Sequence, residues 1–457
     1  MRPPRHVPSG LRAVIVSGRL SGDERGAALV LALVILVALA GLALALLSMS
    51  GFEPQISSNH SRAIRARYVA EAGLEYAYHV LATAPDAWDD HLAGATCALG
   101  ALLGPPTSHL LPGLGGAYGA FSVRVRNDCG PDDARVTGVS LDTSAGPCGA
   151  VAGTATHDAN CRVIVAASGT VGGTTRTITA VMSRTLFPRM TAALAFPGLQ
   201  AGVDFQSSRF SIDGRDSRLS DGPGVPTGSG PAVYGIAVND AVPSLAAEVR
   251  DAIAGNPQNE VRGKDESGTG TTTGAGTIRS DGTLTSPGLA DFVARVRSSA
   301  DVVIDPARAQ SISNVGSACP ADGTSSACWG TTDSPKIVFV GGAPPLGSPR
   351  PALRVSGESG GAGILVVENA ALEIDGRFRW NGLVVVTGRD AALRYRGGGM
   401  QAVYGALIVD EPSHGATATL AGSPGDKTHI LYSTESLDLV QRALRRRFVA
   451  TYGWNDR

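Results

Sequence analysis

The chain has 457 residues and a formal net charge of −1, so its charge gives no electrostatic argument for binding nucleic acid. Only 17% of the residues are charged, whereas glycine occupies 59 positions. This length allows two or three domains, and low charge with many small residues is typical of a β-rich extracytoplasmic protein with many tight turns.

The first predicted element is an apolar helix at residues 27–47. The run is uncharged, and a helix of its length spans roughly 30 Å, the thickness of the hydrocarbon core of a bilayer. Five arginines precede it, whereas residues 48–61 contain no Lys or Arg. This asymmetry predicts a cytoplasmic N-terminus, with everything after Leu47 outside the cytoplasm. A simple membrane anchor or an uncleaved secretory signal is the alternative interpretation of the run.

A second helix is predicted at residues 52–82. Its apolar residues recur at steps of three and four, which places them on one stripe: Ala63, Ala66, Ala70, Leu74, Ala77 and Leu81. Glu71 and Glu75 lie one turn apart, largely off this stripe. Because no catalytic partner is near them in sequence, the pair indicates a solvated face or a contact with a neighbouring subunit rather than acid/base catalysis.

Residues 120–127 alternate between apolar and polar side chains, and so do the segments 161–168 and 174–184. Such alternation predicts half-buried antiparallel strands joined by hairpins. We place the turn between the last two strands at residues 169–173. The predicted sheet therefore covers residues 120–187.

Three later segments resemble one another: each begins with glycine, at Gly363, Gly382 and Gly405, and continues with a short apolar run. Short strands repeated at about 20 residues are typical of the rungs of a β-solenoid. The alternative is a β-sandwich of hairpins.

The part between residue 188 and these repeats contains two predicted short helices, at 244–254 and 289–299. The segment that joins them, residues 256–286, is rich in Gly, Ser and Thr and is predicted to be a mobile loop. At the C-terminus we expect a strand at 428–432 and a helix at 434–445. Arginines crowd the end of that helix, where the helix dipole favours cations.

The six cysteines predict oxidised pairs, because none forms a Cys-x-x-Cys motif and no histidine pair supplies zinc spacing. Cys319 and Cys328 suit a local disulfide loop. The other four are Cys97, Cys129, Cys148 and Cys161, for which three pairings are open. Buried, unpaired cysteines are the alternative.

No catalytic motif, metal-ligand spacing or cofactor fingerprint is present in the sequence. Asp213, Asp216 and Asp221 lie close together but do not match a calcium-binding loop. We predict that they are surface turn residues.

The segment Arg25-Gly26-Ala27-Ala28, the apolar run and the later Ala70-Glu71-Ala72-Gly73-Leu74-Glu75 together resemble the PilX-like pilus assembly family, a branch of the type IV pilin-like proteins. The resemblance covers roughly residues 21–82. It implies that a prepilin peptidase cuts after Gly26, so that Ala27 becomes the first mature residue. It also implies that the apolar helix leaves the inner membrane and packs against other pilin subunits, guided by the pilus assembly machinery.

The sequence departs from the pattern of major pilins at two positions. The first mature residue is Ala27, where Phe or Met is usual, and the fifth is Leu31, where Glu is usual. The resemblance implies that the usual Glu pairs with the N-terminal amine of a neighbouring subunit. Leu31, Glu71 and Glu75 are therefore the residues that we expect at the filament packing surface.

These observations predict an α+β protein: a cytoplasmic leader at 1–26, a pilin-like domain at 27–187 and a mainly β accessory domain at 188–457. The resemblance implies a structural minor pilin without enzymatic activity, near the filament tip, that primes assembly and displays the β domain at the cell surface. One alternative is a minor pseudopilin of a type II secretion system, whose K-type member also lacks the Glu. A membrane-anchored β-solenoid enzyme acting on polysaccharide is another, and it requires acidic residues and an arginine on one face of the β domain.

Overall fold

The computed structural model describes most of the chain beyond the leader. The described residues are 25–456 except 51, 105–108, 111–117, 137–140, 143–145, 147, 149–150, 152, 205–208, 223–224, 255–259, 267–276, 307–310, 317–318, 320–326, 342–351, 390, 397, 413–417 and 423–427. Most of the predicted leader, residues 1–24, therefore lies outside the described part.

Two long helices begin the described chain, α1 (Arg25–Ser50) and α2 (Phe52–Thr83). Both were predicted from the sequence, and their ends differ from the prediction by three residues at most. Within the predicted stripe of α2, Ala66, Ala70, Ala77 and Leu81 are fully buried. Burial of this stripe against a sheet, rather than helix propensity alone, explains why the second half of α2 holds its position.

The sheet beneath α2 is antiparallel. It contains β1 (Ala101–Leu102), β2 (His109–Leu110), β3 (Ala120–Asn127), β4 (Arg162–Val171), β5 (Thr174–Arg184) and β21 (Val449–Asp456), in the order β1-β3-β4-β5-β21 with β2 also on β3. Strands β3 and β5 have the predicted bounds. The hairpin between β4 and β5 turns at Gly172 and Gly173 alone, because both adopt positive φ (53° and 80°), as a two-residue hairpin turn requires.

Within the described residues the other α-helices are α3 (Trp88–Leu92), α4 (Leu245–Ala254), α5 (Ser286–Ser298) and α6 (Thr434–Leu444). Helix α5 begins three residues before its predicted start. Its N-terminus is defined by Thr285, whose side chain accepts a hydrogen bond from the backbone amide of Gly288, and by Pro287 in the first turn.

The large sheet is parallel throughout its described strand pairs and is curled into a half-barrel. Its strands are β6 (Ala192–Phe196), β7 (Ala201–Asp204), β8 (Phe210–Asp213), β9 (Tyr234–Val238), β10 (Glu260–Arg262), β11 (Ile278–Ser280), β12 (Val302–Ile304), β13 (Ser311–Ser313), β14 (Lys336–Gly341), β15 (Ala352–Glu368), β16 (Ala371–Thr387), β17 (Ala392–Arg396), β18 (Gln401–Asp410), β19 (Ala418–Gly422) and β20 (Thr428–Tyr432). The alternative of a sandwich of antiparallel hairpins is therefore wrong.

The three glycine-led repeats lie side by side in this sheet, with Gly363, Gly382 and Gly405 in register. Each has a φ between 131° and 139°. A Cβ atom at any of them would overlap a backbone carbonyl oxygen of the preceding strand in the stack. Only glycine fits where the stacked strands bend, which explains why each repeat begins with it. Such stacking agrees with the solenoid interpretation, which stays a prediction.

Spatial order in the parallel sheet does not follow chain order. Strand β6, the first in sequence, lies between β18 and β9, with Leu194 opposite Leu407. Helix α5 then crosses the sheet: Ser286 donates a hydrogen bond to Asp410, whereas Arg297 forms an ion pair with Glu368 two strands away. The chain thus reaches the opposite end of the stack before it builds β12 to β16.

The prediction of a mobile loop at residues 256–286 is wrong for the part that the structure describes. Residues 260–262 and 278–280 form β10 and β11, which extend the parallel sheet. Val261 and Ile278 are buried, and the backbone amide of Lys264 donates to the carbonyl oxygen of Val233 at 2.7 Å. Residues 256–259 and 267–276 lie outside the described residues.

The last strand joins the first sheet rather than the large one. Strand β21 pairs antiparallel with β5, and the backbone amide of Thr185 donates to the carbonyl oxygen of Phe448 at 2.7 Å. The chain therefore leaves the first sheet and returns to it at neighbouring positions. The division at 187/188 stays a prediction, and residues 449–456 group with the first sheet instead of the accessory domain.

Candidate assembly interface

Helix α1 presents a continuous apolar surface. Residues Gly26–Ser48 form a helix long and apolar enough to cross a membrane, and none of its side chains is buried against the rest of the protein. Among its large side chains, exposure ranges from 50% at Ile35 to 72% at Leu29. Soluble surfaces rarely expose so much contiguous apolar area, so this helix needs lipid or other protein around it.

The predicted processing residues, Gly26 and Ala27, lie in the first turn of α1. Both are exposed, and a Cβ added at Gly26 would meet no atom within 4 Å. Within the part of the chain that the structure describes, no neighbour therefore crowds the peptide bond between them. Helix ends also fray at little cost, which would allow a protease to engage this bond.

Leu31 lies one turn further along α1 and is 63% exposed. No acidic residue occurs in the first turn of the helix. Within the described part of α1, an N-terminal amine of a neighbouring chain would find no carboxylate to pair with.

Helix α2 divides into a free first half and a packed second half. Residues 54–60 are all exposed, and the outer face carries exposed Ile56, Ile64 and Tyr68. Glu71 forms an ion pair with Arg67 at 3.2 Å, whereas Glu75 is exposed. The structure does not join the two glutamates into one site, so both are surface charges beside the apolar face.

All six cysteines form disulfides. Cys319 pairs with Cys328 as predicted, and the open pairing resolves to Cys97–Cys129 and Cys148–Cys161. The Cys97–Cys129 bond joins the segments before and after β3. The Cys148–Cys161 bond ties the preceding loop to the start of β4. The alternative of unpaired cysteines is therefore wrong.

The end of α2 is joined to the C-terminal segment by contacts that sequence reasoning missed. The Tyr78 hydroxyl donates to the carbonyl oxygen of Arg446 at 2.5 Å, and Arg445 donates to the carbonyl oxygen of Thr83 at 3.1 Å. Arg446 lies 3.0 Å from His79 Nδ1. The arginine cluster at 445–447 therefore interacts with the C-terminus of α2 as well as with its own helix, since unpaired carbonyls and the helix dipole attract cations there.

The prediction that Asp213 and Asp216 are surface turn residues is wrong, because both are buried. Asp213 pairs with Arg215 at 2.6 Å. Asp216 accepts hydrogen bonds from the backbone amides of Gly230 and Thr434, each at 2.8 Å, so it stabilises the N-terminus of α6.

Acidic residues and arginines share one face of the large sheet, as the enzyme alternative requires. Their carboxylates are occupied, however: Glu373 pairs with Arg394 and Arg396, and Asp375 pairs with Arg354. Among the described residues, no group of three His, Cys, Asp or Glu side chains is arranged to hold a metal ion. These pairs form a ladder between neighbouring strands, which stabilises the sheet surface.

A large groove lies where the first sheet meets the β domain, with a volume of about 1060 Å³. Its lining includes Arg184, Phe187, Phe292, Arg295 and Tyr452. The described lining contains no histidine, and its two cysteines form a disulfide, so it offers no Ser–His or Cys–His pair.

Comparisons with known proteins find a related family for the N-terminal segment. The model of a family described as "PilX N-terminal" matches residues 25–75, which contain α1 and most of α2. No curated protein matches the chain. Among solved structures, the competence-associated pilin ComZ from Thermus thermophilus is similar at 12% identity, covering 87% of this chain and 98% of that chain, with a TM-score of 0.24.

Proposed function

We propose that this chain, which is PilX-like over residues 25–75, is a minor pilin of a type IV pilus. The observation that carries the proposal is helix α1, whose apolar side chains are exposed along its whole length. Such a helix is stable in a membrane before assembly and between the helices of other subunits afterwards. The large β domain is then displayed outside the cytoplasm.

The precursor is proposed to lie in the inner membrane with its N-terminus in the cytoplasm. The arginines of residues 1–25 support this orientation, because cytoplasmic flanks are enriched in Lys and Arg. The three disulfides also fit an oxidising compartment for the rest of the chain. Prepilin peptidase would cut after Gly26 and leave a mature protein that begins at Ala27.

The proposed partners are other pilin subunits and the pilus assembly machinery, with no role for nucleic acid or a cofactor. The outer face of α2 supports subunit contact, since it exposes Ile56, Ile64 and Tyr68 together with Glu75. Apolar side chains rimmed by charge are common at protein interfaces.

Processing gives the direct test. Gly26→Val should leave the precursor uncut, because the bulkier side chain hinders the peptidase at the bond that follows it. Gly41→Val is the matched control: Gly41 lies in the same helix and its Cβ would also meet no atom within 4 Å. Mass spectrometry of the membrane-borne N-terminus should show Ala27 in the parent and the control. An intact leader on the parent protein in filaments would refute the proposal.

A minor pseudopilin of a type II secretion system is the alternative, and the same α1 and Leu31 support it. The two assignments differ in the phenotype of a deletion strain. Loss of surface filaments with normal protein secretion indicates the pilus, whereas retained exoproteins with normal piliation indicate the secretion system.

A further inference from the structure

Four aspartates are buried together beside the first sheet: Asp128, Asp133, Asp142 and Asp158, each at most 4% exposed. Two of them have a cation. Asp133 receives two hydrogen bonds from Arg126, at 2.5 and 2.6 Å, and Asp158 lies 3.1 Å from Arg184. Among the described residues, no ion pair includes Asp128 or Asp142. Two buried carboxylates are therefore left without a counter-charge.

These two carboxylates also have unused oxygen atoms. Asp128 Oδ1 and Asp142 Oδ1 are buried without a hydrogen-bond partner, as is Thr154 Oγ1. The other oxygen of Asp128 accepts a long bond from Asn160 (3.3 Å), and that of Asp142 accepts from Asn127 and the amide of Ala159. A buried carboxylate oxygen with no partner is destabilising, so each such atom indicates a missing ligand.

The surroundings are short of donors as well. The side-chain amide of Asn127 faces three oxygens: Asp142 Oδ2 at 2.9 Å, the carbonyl of Thr154 at 3.0 Å and the carbonyl of His157 at 2.5 Å. An amide group has only two hydrogens and cannot serve all three. This cluster of buried groups therefore contains more oxygen acceptors than donors, which is the composition of a cation site.

Electrostatics agree with this geometry. Two buried carboxylates without a counter-charge are costly to keep ionised, and a bound cation would reverse that cost by favouring the ionised forms.

We propose that Asp128 and Asp142 bind a calcium ion, with the Thr154 hydroxyl, backbone carbonyls and water as further ligands. Two carboxylates balance a divalent charge. Calcium accepts six to eight oxygen ligands in flexible geometry, whereas magnesium demands a near-ideal octahedron. Zinc prefers nitrogen and thiolate ligands, whereas the unused atoms of Asp128, Asp142 and Thr154 are all oxygens. The Cys148–Cys161 bond closes the loop that carries Thr154, so part of the site is held in place without the ion.

The test uses the full-length protein in detergent after treatment with EDTA and dialysis. Isothermal titration with calcium chloride should show one saturable site, and calcium should raise the unfolding temperature more than magnesium does at equal ionic strength. Absence of a calcium-specific heat and of a shift in unfolding temperature would overturn the proposal.

Two variants localise the site. Asp128→Asn and Asp142→Asn should each weaken calcium binding by about tenfold or more, while raising or preserving stability in EDTA because each removes a buried charge. Asp132→Asn is the control, since Asp132 is 83% exposed at the surface of the same loop and should bind as the parent does. Unchanged affinity in both test variants would place the calcium elsewhere and refute the assignment, as would a loss of affinity in Asp132→Asn alone. If either variant fails to fold, the titration of the parent protein still decides whether calcium binds.

Discussion

Arg184 is the buried cation that connects the start of the loop after α2 with the end of β5. Its guanidinium donates to the carbonyl oxygen of Pro85 at 2.6 Å, lies 5.1 Å from the ring centroid of Trp88 and is 3.1 Å from Asp158. Burial raises the pKa of Asp158 to about 7, although Arg184 opposes this shift. The carboxylate therefore depends on this one cation to stay ionised near neutral pH.

Arg184→Met should destabilise the first sheet by about 3–5 kcal/mol at pH 8, because it leaves a buried charge without a partner. The loss should be smaller at pH 5. The folded pKa of Asp158 exceeds its unfolded value of 3.8, so the folded state binds more protons between about pH 4 and 7, and stability falls as the pH rises through this window. In the variant the pKa rises further, which widens the difference. Thermal unfolding at both pH values measures it.

The double variant Arg184→Met, Asp158→Asn is the control. Removing both charges should recover part of the stability and abolish the pH dependence that the single variant adds. An equal loss at pH 5 and pH 8, or a double variant no more stable than the single one, would show that Arg184 acts through packing on Trp88 alone.

At the scale of elements, the contact of α2 with β4 depends on the absence of a side chain at Gly169. A Cβ atom there would lie 2.9 Å from the carbonyl carbon of Val69 and still closer to backbone atoms of Ala66 and Ala70. The backbones of helix and strand therefore touch. No flexible side chain is available to move aside, so a methyl group must push the helix off the sheet.

Gly169→Ala should lower stability by at least about 2–3 kcal/mol, the cost of overpacking a rigid core. Gly222→Ala is the matched control, since its Cβ would meet no atom within 4 Å. Circular dichroism during heating should show an earlier unfolding transition only for the variant at 169. Identical transitions for the two variants would contradict the close contact.

Elements with a strong local pattern were predictable. Strands β3 and β5 alternate over eight and eleven residues, and their predicted bounds are confirmed. The glycine-led repeats also predicted which residues stack. By contrast, β10 and β11 have three residues each and one buried side chain each, too short for any periodicity. They become strands only because an existing parallel edge supplies their partners.

The candidate assembly interface was predictable to a similar degree, whereas the buried aspartates were not. Gly26, Ala27 and Leu31 are exposed on α1 as an assembly surface requires, yet their roles in processing and packing stay predictions. The buried aspartates could not be found from sequence, since Asp128 and Asp142 lie outside the strands, in loops without a periodic pattern. No local pattern distinguishes them from surface turn residues.

At the scale of the molecule, the β domain is inserted between two neighbouring strands, β5 and β21. The hydrogen bond from Thr185 to Phe448 shows that the chain leaves the first sheet and returns to it at adjacent points. Replacing residues 186–447 with a short Gly-Ser linker should therefore leave a folded first sheet, because β21 can still pair with β5.

Mass spectrometry of the excised protein without reduction should find Cys97–Cys129 and Cys148–Cys161. The matched control is the same excised chain that also lacks residues 449–457, which should be less stable because the edge of β5 is unpaired. If the excised protein forms neither disulfide, the first sheet needs the β domain in order to fold.

We propose that two features of the whole chain, the inserted β domain and Leu31, restrict where this subunit can lie in a filament. The 264 residues between β5 and β21 form a bulky head, and helices that pack side by side leave little room for such heads on successive subunits. An N-terminal amine buried in a filament without a carboxylate partner is also costly. The crowding of heads and the cost of the unpaired amine are both smallest at the filament tip, where no other subunit lies ahead of this one. We therefore expect a low-abundance subunit near the tip that helps to prime assembly.

Immunogold labelling with an antibody against residues 190–444 should mark filament ends or the cell envelope. Leu31→Glu supplies the missing carboxylate and should move some label along the shaft, because the energetic reason for exclusion is then reduced. Leu33→Glu is the matched control: Leu33 is 64% exposed on the same helix, but it would be the seventh residue after the proposed cleavage rather than the fifth. Regular labelling along whole filaments of the parent strain would show that neither the head nor Leu31 restricts the subunit to the tip. A shift with both variants would mean that added charge, rather than its pairing with the amine, determines the position.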